Sequence, residues 1–335
     1  MAADPAGSDQ APTRFTVIVP TLGHDDLLST LLDAIASQTL DRSRWDLVVS
    51  FDGTSPSTAI ARRLDSMGAF AVTSAARQGP GAARNRGARS ATGDVLVFTE
   101  DDCAPEPDWL SRAAARFDRE ADLDVLEGAT VDPKGAPTRR PDGQRPHYLP
   151  TNLFVRRSTF ERVGGYCEAF FRPESGVYFR EDSDFGFTLE EAGARAALEP
   201  KARVVHPVEH PRFLDPIRWA RRYEMDALLR ARHLERFRER IEVARAGPFR
   251  IRRPFVRACH AYVLALAAAL IARLAGEDGL AAWFLVIAAL ALVPVWAKWK
   301  FSPLRLPLIP LVPFVLVASE VAGLRHARRY AGSSR

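Results

Sequence analysis

Residues 79–109 read GPGAARNRGARSATGDVLVFTEDDCAPEPDW, and this stretch decides the fold. It joins a glycine-rich turn, a basic helix and an apolar strand at residues 94–99 that ends in Glu100, Asp101 and Asp102. Three acids at the tip of a buried strand are costly unless a cation lies beside them. The stretch therefore predicts a divalent metal ion that holds a diphosphate at the end of this strand.

Strand and helix patterns alternate through the first half of the chain. Apolar runs predict strands at residues 15–19, 45–51, 69–73 and 94–99, and helical spacing begins near residues 25, 57, 79 and 107. Such alternation is typical of a mostly parallel α/β sheet covered by helices on both faces. Ligands bind these sheets at the carboxyl ends of the strands. The residues at those ends are Pro20, Thr21, Asp52 and the three acids.

The next part of the chain begins with a loop rich in proline, glycine and arginine at residues 132–150. A strand is predicted at residues 152–155, and Ser158 caps a short helix that two glycines interrupt at residues 164–165. Glu181 and Asp182 open another helix, and one more short strand is predicted at residues 203–206.

The C-terminal part has a different composition. Residues 212–257 contain fourteen arginines, no lysine and six acids, and nearly uninterrupted apolar runs follow at residues 258–275 and 279–297. These runs have about the length that a bilayer requires. The acidic loop between them and the basic residues on both flanks predict a membrane hairpin whose flanks face the cytoplasm. A third apolar segment at residues 304–324 contains three prolines, and we expect it to be re-entrant or interfacial rather than a full span.

These observations divide the chain into regions. We expect a disordered lead at residues 1–13, a catalytic domain at 14–212, a basic juxtamembrane helical region at 213–257, a membrane region at 258–324 and a basic tail at 325–335. The alternative is that the apolar runs are core helices of a soluble domain, which their density disfavours. The three cysteines have no paired spacing, so neither a disulfide framework nor a zinc site is expected, and a reducing cytoplasm suits the catalytic domain.

The acids indicate a ligand-binding site more specifically than the glycines do. Glu100, Asp101 and Asp102 offer the hard oxygen ligands that Mg²⁺ and Mn²⁺ prefer, whereas an isolated acidic turn would simply be solvated. The apolar strand before them favours the metal site. The glycines could let backbone amides approach a phosphate, but they match neither the P-loop nor the dinucleotide-binding pattern.

Several motifs in order resemble a known family. They are VIVPT at residues 17–21, FDGTSP at 51–56, the stretch from 79 to 102, TNLFVRRSTFERVGGY at 151–166 and EDSDFGFTLEEAG at 181–193. Together they resemble the family 2 glycosyltransferases with the GT-A fold, a Rossmann-like mixed sheet flanked by helices, over roughly residues 14–210. The resemblance implies a nucleotide-sugar donor, a divalent cation (Mg²⁺ or Mn²⁺) and transfer with inversion at the anomeric carbon.

The resemblance also implies roles for residues on the donor side. Pro20, Thr21 and Asp52 would line the nucleoside pocket, and Arg84 would help to hold the donor. Asp102 would bind the metal directly, while Asp101 would face the ribose or a metal-bound water. Further metal ligands would be Glu100, where the family more often has aspartate, and His206. For His206, a partly buried ring bonded to the backbone is an equally good interpretation.

On the acceptor side, the acidic pair Glu181 and Asp182 matches the position of the family's general base. Asp182 is the expected base, and Asp184 is the alternative because both begin the same helix. Asn152 and Arg156 would border the acceptor together with Glu181. Inverting transfer needs one carboxylate beside the acceptor hydroxyl and a cation beside the departing diphosphate.

The function predicted is metal-dependent transfer of a sugar to a lipid-linked or polysaccharide acceptor at the cytoplasmic face of the cell membrane. A sugar nucleotidyltransferase would carry a longer glycine-rich basic signature after the first strand, which PTLGHDD lacks. An inactive membrane scaffold would have no need of acids at positions 102 and 182. Nucleic acid is not an expected partner, because the arginine belt lacks interleaved aromatic residues.

Overall fold

The computed structural model describes residues 11–138, 146–207, 212–246 and 249–333. The chain divides into two compact units. The first comprises residues up to 173 together with residues 181–208, and the second comprises residues 174–180 together with those from 209 onward. Most of the predicted disordered lead, the end of the basic tail, and residues 139–145 of the predicted loop lie outside the described residues.

The first unit is built on one mixed sheet. The strands up to residue 205 are β1 (Phe15–Thr21), β2 (Trp45–Asp52), β3 (Phe70–Ser74), β4 (Val95–Phe98), β5 (Ala104–Pro105), β6 (Val125–Val131), β7 (Leu153–Arg156), β8 (Phe171–Arg172), β9 (Val177–Tyr178) and β10 (Ala196–Val205). Eight of them form the sheet in the order β3-β2-β1-β4-β7-β6-β10-β5.

Strand direction determines which residues meet at each edge of this sheet. Strands β3, β2, β1 and β4 are parallel, and β6 is parallel to β10. Strand β7 runs antiparallel to both β4 and β6, so β4 and β6 point the same way. The carboxyl ends of β1, β2, β4, β6 and β10 therefore lie at one edge, which we call the acidic edge because Glu100 and its neighbours follow β4.

Helices cover both faces of the sheet because successive strand residues point to opposite sides. The helices are α1 (Asp25–Ala36), α2 (Thr58–Ser66), α3 (Pro80–Arg89), α4 (Trp109–Phe117), α5 (Arg157–Val163) and α6 (Glu181–Glu191). Val17 and Val19 of β1 pack in one core with Leu31 of α1. Ile18 belongs to a second core with Phe160 of α5 and Phe185 of α6.

The second unit is mostly helical. Its elements from residue 215 are α7 (Asp215–Arg222), α8 (Asp226–Arg232), the short α9 (Leu234–Arg236), the antiparallel pair β11 (Val243–Ala246) and β12 (Phe249–Arg252), α10 (Pro254–Leu274), α11 (Asp278–Ala297) and α12 (Val312–Ser333). Helices α10 and α11 are long and apolar enough to cross a membrane, with mean hydropathies of 1.8 and 2.4. The left-handed Gly276 lies in the short turn between them.

The third apolar segment is not one helix. A 3₁₀ helix at Pro303–Leu308 comes first, and α12 then runs through the basic residues that were predicted to form a separate tail. The prolines explain the break, because proline lacks the N–H that continues a helix. Helix α12 contacts α7, α8 and α10.

The segment of residues 174–180 packs within the second unit. The ring of Phe179 lies 5.8 Å from that of Trp219 in an edge-on arrangement, and Arg180 Nε lies 2.8 Å from Asp226 Oδ1. Arg180 has a φ of +74°, a left-handed conformation that costs energy for a residue with a side chain. Its ion pair with Asp226 offsets part of this cost.

Candidate active site

Four side chains of metal-ligand type meet at the acidic edge. Glu100, Asp102 and Cys103 follow β4, and His206 follows β10; their ligand atoms all lie within 4.8 Å of one another. His206 Nε2 is 3.7 Å from Glu100 Oε2 and 3.6 Å from Asp102 Oδ2. These residues come from two strands that end at the same edge, which is why a sequence separation of about a hundred residues becomes a contact.

The orientation of His206 suits a metal ligand. Its Nδ1 lies 2.8 Å from the carbonyl oxygen of Pro207, so a proton on Nδ1 can be donated there while Nε2 faces the acids. The neighbouring Glu100 carboxylate raises the pKa of His206 to about 9, and the charge of Asp102 also raises it. Two carboxylates and an imidazole are a donor set that fits a divalent cation.

Asp101 and Asp102 face different partners. Thr21 Oγ1 donates a hydrogen bond to Asp101 Oδ2 at 2.6 Å, and His24 Nδ1 is 3.8 Å from the same oxygen. Asp102 instead belongs to the cluster around His206. Burial raises the pKa of both carboxyl groups, and the charge of Glu100 raises it further.

Arg84 connects the metal-ligand cluster with the start of α6. Its side chain is only 2% exposed, and its Nη2 donates to Glu100 Oε1 at 3.1 Å while Nη1 lies 3.8 Å from Glu181 Oε1. The guanidinium also lies 5.3 Å from the centroid of the Tyr166 ring. Arg84 Nε and Nη1 are buried and have no hydrogen-bond partner among the described residues. Such buried donors are costly unless a ligand satisfies them.

The three acids at the start of α6 differ in exposure. Asp182 is half-buried and accepts a hydrogen bond at 2.6 Å from the backbone N–H of Ser183, whereas Asp184 is almost fully buried. Burial raises the pKa of Glu181 to about 7, and the charge of Asp182 adds to the shift, against the opposing charge of Arg84. Asp182 is therefore the more accessible of the two candidate bases.

The glycine-rich turn does not present an open phosphate loop. Asp52 accepts hydrogen bonds from the backbone N–H groups of Gln78 and Gly79, at 2.9 and 2.8 Å, and from Arg86 Nη2 at 3.3 Å. A carboxylate of the chain itself thus occupies the start of α3, where the sequence suggested a diphosphate. Gly79 has a φ of +92°, and a Cβ there would lie 2.5 Å from Phe171, so the position requires glycine.

Asn152 and Arg156, the other two residues predicted on the acceptor side, lie at opposite ends of β7. Asn152 is 0% exposed; its Nδ2 donates to the carbonyl oxygens of Ala129 and Ala202, and its Oδ1 accepts from Trp109. Arg156 pairs in register with Val95 at the beginning of β4, which places it at the edge opposite the acids. The antiparallel pairing of β7 with β4 separates the two: Asn152 comes just before Leu153, the partner of Phe98, and is therefore buried near the acidic edge, whereas Arg156 lies at the far edge.

Residues 16–181 match the family model described as glycosyl transferase family 2. This part of the chain is a family 2 glycosyltransferase domain. The glycosyltransferase AglE of Haloferax volcanii is 26% identical over 191 residues, which are 52% of this chain and 62% of that protein. The pre-mycofactocin glycosyltransferase of Mycobacterium tuberculosis is 34% identical over 148 residues, 38% of this chain and 30% of that protein. The chain thus covers less than two thirds of these curated relatives.

Solved structures confirm the GT-A fold of the glycosyltransferase domain. The mannosyltransferase PcManGT from Pyrobaculum calidifontis, solved in complex with GDP-Man and Mn²⁺, superposes with a TM-score of 0.53 at 22% identity, over 97% of this chain and 90% of that one. S. aureus TarS 1-349 gives a TM-score of 0.53 at 16% identity, over 96% and 92%. At sequence identities this low, the similarity to these two structures establishes the fold alone.

The sequence alone did not indicate three residues of the candidate site. Cys103 adds a sulfur to the metal-ligand cluster, Arg86 neutralises Asp52, and Tyr166 covers the guanidinium of Arg84. Cys103 could have been suspected from its position beside the acids. Tyr166 could not, because its closeness to Arg84 depends on how α5 and the following turn pack.

Proposed function

We propose that the protein is an inverting, metal-dependent glycosyltransferase that transfers a sugar from a nucleotide-sugar donor to a lipid-linked or glycan acceptor at the membrane. The observation that carries the proposal is the meeting of the Asp102–His206 cluster, the partly unsatisfied Arg84 and the Glu181–Asp182 pair at one edge of the sheet. The arrangement thus combines a site for a metal ion, the positively charged guanidinium of Arg84 and an accessible carboxylate.

Asp102, Glu100 and His206 are the residues that would hold Mg²⁺ or Mn²⁺. A bound cation of this kind offsets negative charge on a departing diphosphate. The donor set supports this assignment, and the Mn²⁺ in the PcManGT complex agrees with it. Cys103 lies close enough to contribute a sulfur ligand to a softer metal.

Arg84 has the properties of a donor-binding residue. Its unpartnered Nε and Nη1 groups can donate to oxygens of the donor's diphosphate or sugar, and burial strengthens such charge-assisted hydrogen bonds. Asp101, held by Thr21 beside Pro20 at the end of β1, would face the ribose. Asp52 would act indirectly by fixing the loop at Gln78 and Gly79 that forms a wall of the pocket.

Asp182 is the proposed general base. Its half-buried carboxylate would accept the proton of the acceptor hydroxyl as that oxygen attacks the anomeric carbon from the face opposite the leaving group. Glu181 forms a long ion pair with Arg84 at 3.8 Å and would offset part of the positive charge of Arg84 between the base and the donor. Asp184 is less suited, because its side chain is almost fully buried.

The acceptor and the location follow from the second unit and from a relative. The two candidate membrane helices favour a lipid-linked acceptor, and a curated relative is a glucosyl-dolichyl phosphate glucuronosyltransferase of Haloferax volcanii, 25% identical over 150 residues. Arginines before α10 and lysines after α11 flank the same end of the hairpin. By the positive-inside rule, this end and the catalytic domain face the cytoplasm.

The test is transfer by the full chain from a panel of UDP- and GDP-sugars to membrane lipid acceptors, with and without EDTA. We expect activity with one donor, loss on chelation, recovery with Mn²⁺ or Mg²⁺, and an inverted anomeric centre by NMR. Asp182→Asn should lower the turnover number by on the order of 10³-fold, whereas the exposed Asp33→Asn should have no effect. Activity that is indifferent to EDTA would contradict the metal assignment, and loss with Asp184→Asn alone would reassign the base.

A further inference from the structure

Helix α12 is held tightly against the second unit along one face. Its buried residues recur every three or four positions, at Val312, Leu316, Ser319, Gly323 and Ala327. A Cβ at Gly323 would lie 2.1 Å from the carbonyl oxygen of Glu224, so the helix approaches its neighbour as closely as glycine allows. The orientation of the opposite face is therefore fixed as well.

The opposite face of α12 is exposed and changes character along its length. It is apolar up to about residue 324 and basic from residue 325. Val321 is 45% exposed, which is high for a helix otherwise packed on its own unit. The exposed residues are Phe314, Ala318, Val321 and Leu324 in the apolar half, and Arg325, Arg328 and Arg329 in the basic half. We call these residues the α12 stripe.

Contacts with α10 show which part of α10 lies beside the apolar half of the stripe and which part lies beside the start of its basic half. The ring of Phe314 lies 5.8 Å from that of Tyr262, well inside the apolar part of α10. Further along α12, Glu320 lies 2.6 Å from His260 Nε2 and 3.7 Å from Arg253 Nη1, at the basic start of α10. Helix α12 thus runs from the apolar level of α10 towards its basic flank.

The stripe turns basic just beyond that flank. Tyr330, close to the end of α12, accepts a hydrogen bond at 2.8 Å from Arg232 of α8, which lies in the arginine-rich region before α10. Two neighbouring helices therefore change from apolar to basic surface at about the same level. This is the arrangement expected where a protein passes from the acyl chains to the headgroups of a bilayer.

We propose that the α12 stripe is a binding surface for anionic phospholipid. Its apolar half lies among the acyl chains, and Arg325, Arg328 and Arg329 bind the phosphate groups. The positive charge selects anionic over zwitterionic lipid, because each arginine near a negatively charged surface strengthens the attraction by roughly fivefold. The proposal rests on α10 and α11 lying in the membrane and is independent of the transfer chemistry.

The first test measures depth by thiol labelling of the full chain in phosphatidylcholine nanodiscs. Val321→Cys is compared with Phe70→Cys, an apolar side chain of the first unit that is similarly exposed, at 53%. The unsubstituted chain supplies the background of its three native cysteines. We expect a membrane-impermeant maleimide to react about tenfold more slowly at position 321, because the bilayer excludes it. Equal rates would overturn the proposal.

The second test measures the contribution of charge. Adding phosphatidylglycerol to the nanodiscs should slow labelling of Val321→Cys further, by roughly fivefold or more. The triple variant Arg325→Gln/Arg328→Gln/Arg329→Gln should no longer show this additional slowing by phosphatidylglycerol. The control Arg62→Gln/Arg89→Gln/Arg112→Gln removes the same charge from exposed positions of the first unit and should preserve it.

Two further results would overturn the proposal, one in the second test and one when the labelling of the first test is repeated in native membranes. One is a phosphatidylglycerol effect that survives the α12 substitutions or disappears equally with the control substitutions. The other is protection of position 321 only in native membranes and not in nanodiscs, which would indicate a protein partner instead. Since labelling does not depend on turnover, either result can be distinguished from failure of the proposed enzymatic function.

Discussion

Two charged clusters in this protein differ in how completely they are neutralised. In the second unit, Asp226 is 3% exposed and pairs with both Arg180 and Arg253, and Glu320 pairs with Arg253 and His260. Each of these two carboxylates has two basic partners. This cluster is internally balanced, as a structural cluster must be.

The site at the acidic edge is not balanced. Among the residues that the structure describes, its five carboxylates, Glu100, Asp101, Asp102, Glu181 and Asp182, outnumber their basic partners, which are Arg84, His206 and the more distant His24. Arg84 meanwhile keeps buried N–H groups without partners among the described residues. This contrast supports the proposed site, since a bound cation and an anionic donor would supply the missing partners.

The largest effect is expected from Asp102→Asn. Losing this ligand should lower the rate of sugar transfer by about 10³-fold, because the cation that stabilises the leaving diphosphate is no longer held. The free energy of unfolding should stay the same or rise, since one of several repelling carboxylates is removed. Turnover and chemical denaturation in detergent micelles measure both quantities. A strongly destabilised variant would show that the acidic edge is a structural cluster after all.

Asp226→Asn should have the opposite profile. Removing this carboxylate takes one ion-pair partner from Arg180 and one from Arg253, which keeps Glu320, and should lower the free energy of unfolding by about 3 kcal/mol. The exposed pair of Asp108 and Arg112 provides the control, and Asp108→Asn should cost less than about 1 kcal/mol. Thermal unfolding in micelles is the measurement, and an unchanged midpoint for Asp226→Asn would refute the balanced-cluster interpretation.

Metal binding should depend on pH through His206. Because its pKa is raised to about 9, the ring carries a proton at neutral pH that a metal ion must displace. The affinity for Mn²⁺ should therefore increase by up to about tenfold between about pH 7 and about pH 8. Calorimetry in buffers of different ionisation enthalpy would detect the released proton. His206→Ala should lose the pH dependence, and His24→Ala should keep it.

The smallest effect concerns Glu181 in the metal-free protein. Its pKa is raised from 4.5 to about 7, so the folded state favours the neutral acid. The stability that this provides is fully present below the unfolded pKa and is lost as the pH rises through about 7. Glu181→Gln should flatten the unfolding free energy over this range relative to the unsubstituted chain. If the unfolding free energies of the variant and the unsubstituted chain depended on pH in the same way, the raised pKa of Glu181 would be contradicted.

Much of the catalytic fold could be predicted from the sequence. Apolar runs that end in polar residues indicated β1, β2 and β4, and the parallel-sheet rule then brought Thr21 close to Asp101. His206 was expected near the metal only through the family resemblance. Its actual contact with Asp102 depends on the long strand β10, of which the sequence pattern indicated only the last residues.

The errors have a common cause. The sequence indicated the strand at residues 152–155 but not its direction, and antiparallel pairing moves Arg156 to the far edge. Asn152 stays near the acidic edge but is buried by its hydrogen bonds with Trp109, Ala129 and Ala202. Strand β6 was not predicted, because its EGAT segment lacks β propensity and forms a strand only by pairing with β7 and β10. Such pairings are non-local, and periodicity along one segment cannot reveal them.

The segment of residues 174–180 makes the two units hard to separate as modules. The chain leaves the glycosyltransferase domain, contributes Phe179 and Arg180 to the second unit, and returns directly to Glu181. A shortened chain that stops at residue 208 would retain every acid of the site but would lack Trp219 and Asp226. The strained Arg180 would then have lost its ion pair one residue before the acidic pair. Replacement of the second unit by that of a relative should therefore succeed only when the 174–180 segment is replaced with it.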